Sequence, residues 1–292
     1  KIQKQVPLTE GPILKSLTGL AVPIMISSFL GTLYNITDMA WIGLLGSKAV
    51  AAVGVGGMYV WLSQGLASLA RMGGQVHVAQ CIGRGDRERA HGFAQAAVQL
   101  AAFMGMAYAI LSLLFTRQMV GFFQLADAQA HAAAMSYTRI ACGLIVFSFM
   151  TLTLTGLYTA QGDSKTPFIA NLVGLATNMV LDPVLILGVG MFPKLGVAGA
   201  AIATVTAQAI VMSIMIVGIV IQKKENVLKE TRLLAKIPRE YLQGICKIGI
   251  PTALQGMAYC VISMVLARMV SVFGAEAVAV QRVGGQIESL SW

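Results

Sequence analysis

Charge is scarce in this sequence. Its 292 residues carry 12 Asp or Glu and 21 Lys or Arg, 11% in all. Soluble domains carry about a quarter charged residues, so this composition cannot supply a water-facing shell. Three histidines and four cysteines leave little metal or redox chemistry. Cys81, Cys142, Cys246 and Cys260 are scattered without a CxxC spacing, which argues against a zinc or dithiol motif and makes them packing residues. His77, His91 and His131 lie near the ends of apolar runs, where they suit interfaces better than a catalytic centre. There is no HExxH, no Ser/His pairing at matching depth and no paired-aspartate protease motif, which counts against an intramembrane enzyme. Alternating strands of about ten residues are also missing, so a membrane barrel is disfavoured.

What is present is apolar. Hydrophobic residues make up 57% of the chain, and the mean hydropathy is +0.75. Runs of about twenty apolar residues recur, the length a helix needs to cross a hydrocarbon core about 30 Å thick. The fold expected is an all-α polytopic membrane protein. Its spans fall near 15–45, 49–80, 92–116, 132–161, 166–191, 196–221, 244–272 and 277–292, about eight in this chain. The first run is followed by charged loops and no small-residue cleavage site, so it reads as a retained helix and not a signal peptide. The 16 methionines read as packing, with the added property that Met-lined cavities suit varied apolar ligands.

The net charge of +9 sits mainly in short loops, which points to topology and away from nucleic acid. The N-terminal tail, the loops after spans 2 and 4 and the stretch "QKKENVLKETRLLAKIPRE" hold most Lys and Arg, whereas the loops after spans 1, 3 and 5 hold only Lys48, Arg117 and Lys194. The positive-inside tendency therefore places the N-terminus and the long linker in the cytoplasm.

An offset of 228 residues aligns Pro23 with Pro251, Gly46 with Gly274, "AVA" at 49–51 with "AVA" at 277–279, and Gly57 with Gly285. This predicts two parallel six-helix repeats, twelve helices in a complete protein. Trp292 then corresponds to Gln64 inside the second span, so the chain reads as an N-lobe (1–221), a cytoplasmic linker (222–243) and the start of a C-lobe (244–292).

Acids inside such spans cost roughly 2.5–3.5 kcal/mol each on insertion scales, so they call for a function. Asp38 lies in span 1 near Asn35 and Thr37, and Asp182 lies in span 5. Asn171, Asn178 and Asp182 are spaced to share one helical face, which must look into the bundle. Pro183 follows at once and frees a carbonyl near Met179. Ala200, Thr204 and Gln208, at spacing four, form a second polar-capable face on span 6. Together these residues can supply the hard oxygen ligands of a small alkali cation. They can equally hold a proton, because two carboxylates in a poorly hydrated cavity resist double ionisation. Plainer readings compete: a kink or helix end at Asp182 and Pro183, an ion pair of Asp38 with Arg139 or Arg268, and hydroxyls in "TLTLTG" at 151–156 that bond to their own helix.

Two stretches carry a family resemblance. "PIMISSFLGTLYNITDMAWIGLLGSKAVAAVGV" resembles the first span and loop of the MATE (multidrug and toxic compound extrusion) transporters, and "GLYTAQGDSKTPFIANLVGLATNMVLDPVLILG" with "GVAGAAIAT" resembles their fourth-to-sixth helix signature. Within that family the chain is most similar to the DinF-like branch. The resemblance implies that Asp38 is the essential span-1 acid, that Asn178, Asp182 and Thr204 are cation-site side chains, and that Ala200 contributes a backbone carbonyl. It implies a cavity tyrosine at Tyr137, and it places Thr155 where some archaeal relatives carry asparagine. Cys260 stands where the NorM-like branch has a glutamate, which favours coupling through the N-lobe.

The function expected is a secondary active transporter: an antiporter that exports amphipathic, often cationic compounds in exchange for H⁺ or Na⁺. No other cofactor is expected. Asp38, Asn178, Asp182, Thr204 and the Ala200 carbonyl would serve the coupling ion, with Na⁺ held among the four side chains. Asn35, Tyr137, Thr155, Asn171 and Gln208 would line the substrate cavity, with hinges at Pro23 and Pro183. The protein is expected to be a multi-pass monomer in the lipid bilayer of a bacterial or archaeal inner membrane. The alternative is a flippase for lipid-linked saccharides, which would need several cavity arginines where only Arg71, Arg139 and Arg268 are candidates. A non-transporting scaffold would not require Asn178 and Asp182 to share a face with an acid in span 1.

Overall fold

The computed structural model describes residues 13–125, 127–188, 193–221, 226–229 and 237–289. Among them the chain forms nine helices and no strand: α1 (Ile13–Gly43), α2 (Ser47–Gly83), α3 (Arg87–Gly121), α4 (Ala128–Gly143), α5 (Val146–Ala160), α6 (Lys165–Leu187), α7 (Val197–Ile221), α8 (Arg239–Ser271) and α9 (Ala275–Ser289). By length and hydropathy α2, α3, α6, α7 and α8 can each cross a membrane, and α4 with α5 makes a sixth span bent by 47°. These five or six stand against about eight expected. The remaining two, α1 and α9, are 31 and 15 residues long in the described chain. Large apolar side chains such as Phe103, Leu114, Val220 and Ile221 are left exposed, as a lipid-facing surface requires.

The span read at 132–161 is built of two helices, α4 and α5, broken at Leu144 and Ile145. The break contains no proline. Gly143 ends α4 against Leu113 of α3, where an added Cβ would lie 3.0 Å from that side chain. Helix starts follow ordinary capping. Asp86 accepts from the Arg89 N–H at 3.1 Å at the start of α3, and Asp127 accepts from the Gln129 and Ala130 N–H groups at 2.8 and 3.0 Å at the start of α4.

Asp127 also pairs with Lys48 at 2.5 Å, tying the start of α4 to the first turn of α2. The Lys48 hydrogen bond, with the backbone N–H groups adding to it, holds the Asp127 carboxyl below its ordinary value of 3.8. A depressed carboxyl adds stability above its unfolded pKa and loses it as the pH falls through the folded one. Asp127→Ala should therefore speed amide exchange at residues 129–131 at neutral pH, and the difference from wild type should vanish in strong acid.

The 228-residue offset also aligns helix ends. Position 43 ends α1 and position 271 ends α8, while Ser47 and Ala275 begin α2 and α9. Between them Gly46 and Gly274 take φ values of 98° and 103°, a conformation that side-chain-bearing residues rarely adopt.

The most extensive contact between helices is α2 against α8. A Cβ at Gly249 would strike the Leu69 carbonyl, one at Gly73 would strike the Ile245 carbonyl, and Gly65 faces Gly256. Small residues at these points let the two backbones touch. Further along, His77 stacks on Phe93 at 4.4 Å, Phe93 meets the edge of Tyr241 at 4.8 Å, and Arg89 pairs with Glu240 at 3.0 Å. Residues 226–229 dock at this same end. The Val227 N–H donates to Gln161 Oε1 at 3.0 Å, the Val227 carbonyl lies 2.8 Å from His91 Nδ1, and Leu228 is buried with Tyr158 and Ile245. Gly249→Val should cost about 1–3 kcal/mol, as overpacking does. The check is a lowered Tm of the purified protein; an unchanged Tm would mean that α2 and α8 do not touch there.

Candidate functional site

An antiparallel hairpin of α6 and α7 builds the site. Gly174 leaves room for Val211 at one end, and Gly199 lets α7 approach the Leu185 carbonyl at the other. The returning chain is held by Leu195 N–H to the Leu185 carbonyl at 3.0 Å and Gly196 N–H to the Ile186 carbonyl at 3.2 Å. α6 runs through Pro183 to Leu187, so the proline does not end the helix. It still cannot donate to the carbonyl four residues back, at Met179.

Between those glycine contacts lie the polar residues. Asn178 and Asp182 are each 1% exposed, too deep for bulk water to satisfy them. With the Asn178 amide oriented by its hydrogen bonds, its nitrogen donates to Asp182 Oδ2 at 2.5 Å and Oδ1 at 3.3 Å, and its oxygen accepts from the Thr204 N–H at 3.1 Å. In a regular helix that N–H donates to the Ala200 carbonyl. The Thr204 N–H is thus directed at Asn178 as well, one turn after the buried Ala200. α1 completes the group by bringing the Asp38 carboxyl against that of Asp182. Two carboxyls brought together resist ionising at the same time, and a proton or a cation between them removes that repulsion.

Two cavities meet over this cluster. The smaller, about 380 Å³, lies among α1, α2 and α5 to α7; Asn171, Asn178, Thr151 and Gln208 line it. The larger, about 780 Å³, lies between α1 and α2 on one side and α8 and α9 on the other; Asp38, Tyr137 and Trp61 line it. Asn35, Gln64, Thr204 and Gln208 border both. Asp182 is in neither lining and sits behind Asn178 and Asp38.

Most residues expected at the cavity are there: Asn35, Asn171 and Gln208 as above, and Tyr137 beside Gly56, whose missing Cβ makes room for the Tyr137 ring. Thr155 is the exception. Its hydroxyl donates to the Thr151 carbonyl at 2.8 Å, and the residue lining the smaller cavity is Thr151, one turn earlier, whose hydroxyl donates to the Gln208 carbonyl at 3.4 Å. Back-bonding of this kind is the usual fate of a helical threonine in an apolar run. The Pro23 side chain falls outside the described residues. Arg268 holds its guanidinium over the Phe122 ring at 4.7 Å, and Arg139 is exposed. Cys260 is buried on α8, its sulfur 3.5 Å from the Met58 carbonyl.

Sequence reasoning passed over Gln64, Trp61, Tyr259 and Glu288, all of which line the larger cavity. Gln64 carried a signal, as a lone amide in a long apolar run. The others become recognisable only when α8 and α9 are brought against α2.

This arrangement has close counterparts. The chain is 30% identical over 288 residues to "Probable multidrug resistance protein NorM" of Thermotoga maritima, covering 98% of this chain and 61% of the relative. It therefore spans about 61% of the length of that relative, and 60% of the next, from Bacillus subtilis. Among solved structures, an outward-facing multidrug resistance MATE family transporter of the MOP superfamily matches with a TM-score of 0.83 at 26% identity, covering 98% of this chain and 62% of that one. A MOP superfamily transporter from Pyrococcus furiosus, described as having a binding pocket of reverse polarity, matches with a TM-score of 0.85 at 26% identity over 99% of this chain and 63% of that one. The MatE family profile matches residues 23–184, more than half of the sequence, and takes in both Asp38 and Asp182. The chain belongs to the MatE family.

Proposed function

We propose that the protein containing this chain is a cation-coupled antiporter that exports amphipathic, often cationic compounds in exchange for H⁺ or Na⁺. The observation that carries this reading is the pairing of the Asp38 and Asp182 carboxyls across α1 and α6, with Asp38 on the wall of a wide cavity. The names of the multidrug relatives agree with it. The charge of the cavity supports it against a lipid-linked saccharide flippase. Among the described residues lining the larger cavity, Asp38 and Glu288 are charged and no lysine or arginine appears, where a pyrophosphate would need cations.

In the proposed cycle Asp38, Asn178, Asp182, Thr204 and the Ala200 carbonyl hold the coupling ion. The Asn178 amide is the adjustable part. Its nitrogen faces Asp182 when a proton is shared by the carboxyls; turned by 180°, its oxygen faces them, the orientation that a Na⁺ ion favours. Ion entry relaxes the tie between α1 and α6, and movement of α1, hinged near Pro23, changes access to the cavity. Exchange requires that ion and substrate prefer different states, since a ligand that binds both equally shifts nothing.

We further assign 1–221 to an N-lobe, 222–243 to a linker and 244–292 to the start of a C-lobe, in a bacterial or archaeal inner membrane with the N-terminus cytoplasmic. In that orientation the contacts of Gly73, His77, Phe93 and Tyr241 close the cytoplasmic end, and the cavity belongs to an outward-facing state. A buried N-lobe pair, with Cys260 in place of an acid, favours the DinF-like mode of coupling. The test is efflux of ethidium by the full-length protein in proteoliposomes, with Na⁺ and H⁺ gradients imposed separately. Efflux should follow at least one gradient; indifference to both would contradict antiport.

A further inference from the structure

The larger cavity receives one carboxylate from each side, and the two do not occupy equivalent positions. At the 228-residue offset Asp38 corresponds to Leu266 and Glu288 to Val60, and all four residues line the cavity. Each side therefore carries its acid where the other carries an aliphatic residue, and Glu288 is not a second copy of Asp38.

Their surroundings differ in the same sense. Asp38 lies against Asp182 at the base of the cavity. Glu288 is exposed at the cavity wall, on the α9 face that also presents Gln281, Gly284 and Gly285. Those spacings of three, four and seven define one helical face. Among the described residues, a Cβ added at either glycine would meet nothing within 4 Å. Also in the lining, Trp61 and Tyr259 form an edge-on pair with centroids 5.5 Å apart, and they remain 41% and 55% exposed. An accessible carboxylate in a cavity with open aromatic faces is the chemistry that recognises an organic cation, by charge at one end and by ring contact at the other.

We propose that Glu288 holds the cationic group of the transported compound, against the Trp61 and Tyr259 rings, while Asp38 serves the coupling ion. This inference rests on the antiport reading for its biological setting, but it is tested by binding alone.

The experiment is equilibrium binding to the purified full-length protein of two probes with similar aromatic bodies: tetraphenylphosphonium, a permanent cation, and triphenylphosphine oxide, which is neutral. Wild type should prefer the cation. Glu288→Gln should lower the ratio of cation to neutral affinity about tenfold, the scale of one lost charge-assisted contact. Glu288→Asp, which keeps the charge, should hold the ratio within about threefold of wild type. An unchanged ratio in Glu288→Gln overturns the proposal. So does an equal fall in both variants, which would mark a packing role. If wild type shows the preference and the variants behave as expected, yet tetraphenylphosphonium efflux follows no ion gradient, then antiport fails and the binding role of Glu288 stands.

Discussion

Asp38→Asn should abolish ion-driven efflux while leaving the protein folded. The substitution keeps the size of the side chain and removes the carboxyl that faces Asp182, the group proposed to share the coupling ion with it. An intramembrane acid costs roughly 2.5–3.5 kcal/mol on insertion scales, so its loss should leave Tm unchanged or raised. Efflux from proteoliposomes under imposed gradients and a melting curve on the same preparation check both halves. Normal coupled efflux in this variant would remove Asp38 from the mechanism. A lowered Tm with lost efflux would recast the acid as structural, a support of α1 against α6.

The second large effect is expected at Asn178. Its amide joins Asp182 on α6 to Thr204 on α7, and both ends of that bridge are buried. Removing one partner from a hydrogen bond to a charged group costs about 1.5–3 kcal/mol, so Asn178→Ala should slow ion-driven efflux by about 10-fold to 100-fold. Asp182→Asn should be at least as severe. Because the two side chains act as one unit, the double variant should be no worse than the more damaging single one. Initial rates for the three variants test this. Wild-type rates in Asn178→Ala, or losses that multiply in the double variant, would show that the residues act independently.

What the sequence disclosed depended on how far apart the interacting residues lie. The α6 face was legible because Asn171, Asn178 and Asp182 sit on one helix at helical spacing. The α7 face at Thr204 and Gln208 was legible for the same reason, and the short hairpin makes the two faces meet. The 228-residue offset was legible in the residues, and at that offset Gly46 and Gly274 both take a positive φ before the next helix starts. The break between α4 and α5 was not legible. It arises where Gly143 meets Leu113 of another helix, without the proline that announces a kink. Thr155 and Thr151 share one face a turn apart, and only packing against α7 decides which of them borders the cavity. Glu288, Trp61 and Tyr259 lie on three different helices, so no local pattern connects them.

The claim that carries the account is that Asp38 and Asp182 are two halves of one ion site. Its most direct test is equilibrium binding of ²²Na⁺, with proton uptake followed in parallel, on the purified full-length wild type, Asp38→Asn and Asp182→Asn. A single shared site predicts a saturable ion-binding event in the wild type that is lost in both variants, for whichever ion the protein uses. Retention of that event in either variant would contradict it.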